Sequence, residues 1–151
     1  MARRYSGVNQ TGGTMATIYK EFIVEAGIGN VWDALRDFNA VHQRLAPGFV
    51  VDCKPGEGSR TVSFANGMVA HEVLVGIHEE AHRLSYTVVG GKATHHMASA
   101  QLFAESENRT RFVWITDVLP DALEGYIDAM MTQGAVVMQR TLSGSPEKSP
   151  G

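Results

Sequence analysis

Apolar residues change their spacing several times along this chain, and each change marks an element. In TIYKEFIVEA, residues 17–26, β-branched and aromatic residues dominate and Phe22 and Val24 stand on alternate positions, which predicts a strand. Gly27 and Gly29 break it. Ile28, Val31, Trp32, Leu35 and Phe38 then fall at helical spacing and predict an amphipathic helix of about three turns. Asn39 is placed to cap a second short helix, AVHQRLA, which ends at Pro47-Gly48. From there the period is two. FVVDCK ends at the turn PGEG, and RTVSF ends at Asn66-Gly67, a strong hairpin signal. MVAHEVLVGIH turns through EEAH into RLSYTVV, Gly90-Gly91 break the chain again, and THHMASAQLFAE leads through the loop SENR into TRFVWITDVL. Strands joined by such short loops must run antiparallel.

Pro120 ends the last strand and Asp121 starts a helix of about twenty residues. Leu123, Ile127, Met130, Gly134, Val137 and Thr141 form one stripe on it, broadened by Tyr126, Met131 and Met138. Gly125 and Gly134 each cost about 1 kcal/mol of helix propensity against alanine. A glycine facing the sheet lets the helix approach closely, or leaves space in front of it. The order predicts an α+β fold: seven antiparallel strands curved around one long C-terminal helix, with two short helices after the first strand closing one end.

Composition narrows the functions available. A chain of 151 residues with 44% hydrophobic content supports one domain with a sizeable core. A net charge of -3 and scattered basic residues leave no footprint for nucleic acid. No apolar run is long enough for a membrane-spanning helix. A single cysteine, Cys53, forms no internal disulfide and fits a reducing, cytoplasmic setting. Residues 1–14, with Arg3-Arg4 but no apolar run after them, read as a disordered extension ahead of a natural start at Met15. The domain is expected over 15–142, with a disordered tail over 143–151.

Four stretches carry a resemblance. AGIGNVWDALRDF, GEGSRTVSFANG, HEVLVGIHEEAHRLSYTVV and RFVWITDVLPDAL are similar, in this order, to the START/Bet v 1-like helix-grip superfamily (SRPBCC) and its bacterial polyketide cyclase/dehydrase-like branch. The resemblance implies a hollow fold, with binding of a small hydrophobic molecule or cofactor-independent cyclase chemistry. Glu79-Glu80 and GKATHH depart from the branch's usual loops at the mouth of such a cavity.

Neighbouring residues of a strand point to opposite faces. His95 and His96 therefore cannot both face inward, and His78 and His82, four apart, flank a β-turn rather than lie on a helix, so no metal is expected. With His96 inward, Ala98, Ala100 and Leu102 share its face; with His95 inward, Met97, Ser99, Gln101 and Phe103 do. The first face is the more apolar and favours His96. Similarly one of His71 and Glu72 faces inward, His71 with Val69 and Val73 or Glu72 with Ala70 and Leu74. A buried Glu72 would have a raised pKa suited to acid–base work, whereas an exposed one would pair with Arg60 or Arg83. Tyr86 and Trp114 pack in the core or present a polar tip to a ligand. Met130, Met131 and Gly134 form a deformable wall for that ligand or ordinary core. Asp117 is placed to bracket the start of the long helix.

Two functions fit these residues. The first is binding of a hydrophobic or aromatic, polyketide- or lipid-like molecule between sheet and helix, through His71, Glu72, Tyr86, His96, Trp114, Met130, Met131 and Gly134. The second is a cyclase or dehydratase, with Glu72 or His96 as base, Tyr86 or His71 as donor, and no cofactor. An interaction module would need a spare apolar face, and the core already uses each stripe.

Overall fold

The computed structural model describes residues 7–8 and 14–144. Its seven long strands are β2 (Thr14–Val24), β3 (Val50–Gly56), β4 (Ser59–Phe64), β5 (Val69–His78), β6 (Arg83–Val89), β7 (His95–Ser106) and β8 (Arg109–Leu119). The sheet order is β2-β8-β7-β6-β5-β4-β3, antiparallel throughout, and a two-residue strand β1 (Gly7–Val8) adds to the outer edge of β2. The sheet curves around α2 (Glu124–Gly144), and α1 (Ile28–Arg36) and two short turns follow β2. The α+β helix-grip architecture expected from the pattern is the one observed.

The two-residue period decides which side chains the sheet turns inward. Ala16, Ile18 and Val24 on β2, Val62 on β4, Leu84 on β6, Ala98, Ala100 and Leu102 on β7, and Phe112 and Val118 on β8 are all buried. α1 contributes Val31, Trp32, Ala34 and Leu35 to the same core. An exposed clamp holds this helix to the turn between β5 and β6: Glu79 accepts from Trp32 Nε1 at 2.7 Å and from Arg36 Nη2 at 2.7 Å. His82 closes that turn with φ 53, and its ring meets the Trp32 ring edge-on at 5.5 Å.

Several expectations need correction. The first strand begins at Thr14 rather than residue 17, and Gly7 and Val8, placed in a disordered extension, pair with Met15 and Thr14. α2 continues through Gly144; the rest of the expected N-terminal extension and residues 145–151 lie outside the described residues. Asn39 caps nothing. It lies inside a 3-10 turn, Phe38–Ala40, which follows α1 after the non-helical Asp37 and leads into a π turn, Val41–Leu45, whose N-cap Ala40 has no capping side chain. Asp117 does not bracket α2: Thr116 and Val118 turn inward, so Asp117 points out and accepts from Thr17 Oγ1 at 2.6 Å. The buried stripe of α2 runs through Met131, Gly134, Met138 and Leu142, about one position round from the stripe centred on Met130 and Thr141.

β3 is the last strand of the sheet. Its ladder with β4 is interrupted between Val50 and Asp52, leaving Val51 56% exposed, and Pro55 lies within it.

Candidate functional site

Sheet and α2 do not meet along their whole length. Between them lies a cavity of about 670 Å³. Its rim carries Met68, Val69, Val89 and Tyr126, each more than 40% exposed. Register arranges the wall behind this rim in tiers, because inward residues of a strand lie about 7 Å apart and register aligns them across strands. In the outer tier Arg60 faces Glu72 across β4 and β5. In the middle tier Leu74, Tyr86, Ala98 and Thr116 lie in line across β5 to β8. In the inner tier Leu84, Ala100 and Trp114 lie in line across β6 to β8, and Phe112 follows Trp114 on β8.

Arg60 and Glu72 form a buried ion pair: both side chains are 8% exposed, and Arg60 Nε donates to Glu72 Oε1 at 2.7 Å. Arg60 Nη1 donates to the Phe38 carbonyl at 2.6 Å, and the guanidinium lies 3.8 Å over the Phe38 ring and 5.3 Å from that of Tyr86. Burial holds the Glu72 carboxyl above the ordinary carboxylate range, while the charge and hydrogen bonds of Arg60 pull it the other way. Burial, and then the charge of Glu72, push the Tyr86 hydroxyl well above its usual range; Trp114 is its hydrogen-bond partner. Tyr86 is therefore a neutral phenol at any pH the fold meets, able to give one hydrogen bond.

The histidines divide as the strand period requires. His96 lines the cavity and His95 is exposed. Burial, and then the neighbouring His95, hold the His96 imidazole below its usual pKa, so it is neutral near pH 7. Among His71 and Glu72, Glu72 turns inward. His71 stands on the outer face, exposed, with Nδ1 3.2 Å from Thr61 Oγ1, and is no part of the cavity wall. The strand is regular between these residues and the sheet's core; its bulge lies further on, between Leu74 and Gly76, and turns Ile77 back inward.

Met130, Met131 and Gly134 of α2 all line the cavity. Gly134 marks a close approach rather than a space: a Cβ there would lie 3.0 Å from the Phe49 ring and 3.2 Å from that of Trp114. Cys53 is buried away from the cavity lining, and burial pushes its thiol up, which makes it a poor nucleophile. Among the described residues no group of three His, Cys, Asp or Glu is placed to hold a metal ion.

The sequence reading had Arg60 only as a partner for an exposed Glu72. Its signal was present: Arg60 alternates with Val62 and Phe64, which puts a cation on the apolar face of β4. Thr116, 2% exposed on the inward face of β8, shares the parity of Phe112 and Trp114 and lines the cavity with them.

Comparison with known proteins agrees with this architecture. The structure is similar to an uncharacterised protein from Bacillus thuringiensis, with 14% identity and a TM-score of 0.76 over 84% of this chain and 98% of that one. Norcoclaurine synthase from Thalictrum flavum, solved with dopamine and hydroxybenzaldehyde, is 15% identical with a TM-score of 0.72 over 95% and 93% of the two chains. The Zhui aromatase/cyclase from Streptomyces sp. R1128 is 16% identical with a TM-score of 0.67 over 89% and 94%. These likenesses establish a shared fold. No curated protein matches the sequence. Residues 15–143 match the model of one family, and the chain belongs to it: the polyketide cyclase/dehydrase and lipid transport family.

Proposed function

We propose that this protein binds a small, largely apolar molecule carrying a few oxygen functions in the cavity between sheet and α2. The observation that carries this reading is the lining itself. Apolar side chains dominate it, and Arg60, Glu72, Tyr86, His96, Trp114 and Thr116 are polar groups on it, with Lys92 beside the rim. Such a site excludes water from most of its wall and fixes the ligand's orientation through a few polar contacts. Native mass spectrometry of freshly purified protein, followed by solvent extraction, tests it. A defined molecule near one-to-one stoichiometry is expected. A protein that is empty and also fails to take up any of a panel of aromatic ketones, fatty acids and sterols would refute it.

A second reading is favoured by one observation: the cavity holds a neutral imidazole, a carboxyl with raised pKa and a neutral phenol. That set suits proton abstraction next to a carbonyl, followed by ring closure and loss of water, with no cofactor. His96 or Glu72 takes the proton, and Tyr86 or Arg60 donates to the developing enolate oxygen. The Zhui aromatase/cyclase, similar in fold, makes the comparison pertinent. If the reading holds, His96→Asn or Glu72→Gln removes turnover of a polyketone substrate and leaves its binding within a few-fold. Equal loss of both would leave only the binding function.

A further inference from the structure

The charges on the cavity wall do not balance, and the excess lies at the mouth. We infer that the bound molecule is an amphiphile with an anionic group at one end, held at the rim by Lys92, and its apolar body inside. The inference rests on the binding reading above and names the class of molecule bound.

Arg60, Glu72 and Lys92 are the lysine, arginine and carboxylate side chains on the lining. Arg60 and Glu72 satisfy each other at 2.7 Å and together carry no net charge. Lys92 is exposed, and among the described residues no carboxylate lies within ion-pair distance of it. The turn between β6 and β7 sets its place. Gly90 and Gly91 take φ of 81 and 75, a conformation that favours glycine, and the Thr94 N–H donates to the Leu119 carbonyl at 2.9 Å. Between these points Lys92 and Ala93 line the cavity. His96, on the strand that follows, adds a neutral imidazole with one N–H to give. The start of α2 borders the same mouth through Leu123 and Tyr126, and its acids Asp121 and Glu124 are off the lining.

This distribution orients the molecule. An anionic end carried inward gives up its water and approaches Glu72, a second anion, while Arg60 is already occupied. At the rim the same end stays hydrated and gains the ammonium of Lys92. The body behind it meets Val88, Met130, Phe64 and Ala70, which ask for no charge partner. A neutral end gains nothing from Lys92, and a cationic end is repelled by it. The pair at the rim is partly hydrated, so it selects among ligands of similar body, whereas the apolar wall supplies most of the affinity.

Isothermal titration of the full chain at pH 8 and low ionic strength tests this with three probes that share a decyl-length chain: decanoate, decan-1-ol and decyltrimethylammonium. Lys92→Met is expected to weaken decanoate about fivefold and to leave decan-1-ol within about twofold. Lys92→Glu, which reverses the charge, should weaken decanoate by at least about tenfold, again spare decan-1-ol, and tighten decyltrimethylammonium. Lys92 sits on an exposed turn, and the unchanged affinity for decan-1-ol reports that the cavity of each variant is intact. A Lys92→Glu protein that binds decanoate within about twofold of the original, or that loses decan-1-ol as strongly as decanoate, would overturn the inference and leave the binding reading standing. So would an original protein that takes up decan-1-ol and not decanoate. No binding of any of the three would remove this inference, and failure of the wider panel as well would remove the reading beneath it.

Discussion

Replacing Arg60 by methionine isolates the Glu72 carboxyl in a wall where both side chains are 8% exposed. The variant keeps most of the apolar stem volume and removes the charge, the 2.7 Å bond to Glu72 and the 2.6 Å bond to the Phe38 carbonyl. Breaking one side of a buried pair costs about 3–5 kcal/mol, whereas replacing both partners by apolar groups of similar size is often close to neutral. Arg60→Met should therefore lose about 3–5 kcal/mol in urea unfolding followed by circular dichroism, roughly 10–20 °C in Tm for a domain of this size. The double variant Arg60→Met/Glu72→Met should recover more than half of that; about 1 kcal/mol of the residue is the lost Phe38 bond. The loss also has a sign in pH. Burial already raises the Glu72 carboxyl in the folded state, and removal of Arg60 raises it further. Folded protein then holds the proton more tightly than unfolded, so stability is greatest below the unfolded carboxylate pKa and falls as pH rises through the folded one. The deficit of Arg60→Met should shrink on acidification from pH 8 to pH 5. A single variant costing under about 1 kcal/mol, or a double variant costing the sum of both singles, would refute the account of the pair as a mutually dependent buried couple.

Gly134→Ala gains about 1 kcal/mol of helix propensity and loses about 1–3 to crowding of Phe49 and Trp114, so calorimetry should show a net fall in Tm. A rise in Tm would mean that the two rings give way freely. Glu79→Ala removes the acceptor shared by Trp32 and Arg36, and should red-shift tryptophan emission and speed amide exchange in α1 ahead of the sheet; unchanged exchange would show that core packing alone holds the helix. His96 should titrate below its ordinary value by NMR. Because its folded pKa is depressed, the protein keeps this contribution above the unfolded imidazole pKa and loses it as pH falls through the interval below. His96→Asn should flatten that part of the stability profile, and an unaltered profile would place the acid sensitivity elsewhere.

Periodicity carried most of the fold because nearly every strand has one buried face. His96 with Ala98, Ala100 and Leu102, or Glu72 with Ala70 and Leu74, are parity statements that a two-residue period makes readable. The same parity, applied to β4, exposes Arg60, yet a guanidinium on an apolar face gives no hint of its counter-charge until Glu72 is known to lie opposite it in register. His71 was kept as a candidate because sequence alone cannot locate a bulge; the bulge after Leu74 leaves Glu72 and His71 on their regular sides. The turn from Phe38 to Leu45 was half legible. Its apolar residues Val41 and Leu45 were visible as helical, but the change from 3-10 to the wider π winding was not, nor was the packing of Phe38 under Arg60, a contact distant in sequence. Gly134 was readable as meaningful and not as to which meaning, since close approach and empty space leave the same letter.

The outer edge of β3 has a bearing on how the molecule meets its own copies. A hollow domain gives up packing that would otherwise stabilise it, so local opening exposes apolar wall more readily than in a filled core. Under those conditions an unpaired strand edge is the usual template for chain-to-chain growth. Here the template is defective. The ladder skips at Val51, and Pro55 has no N–H to give, so an arriving strand meets an interrupted row of donors. Crowded solutions of this protein should therefore resist fibrillar association through β3 even while the cavity breathes.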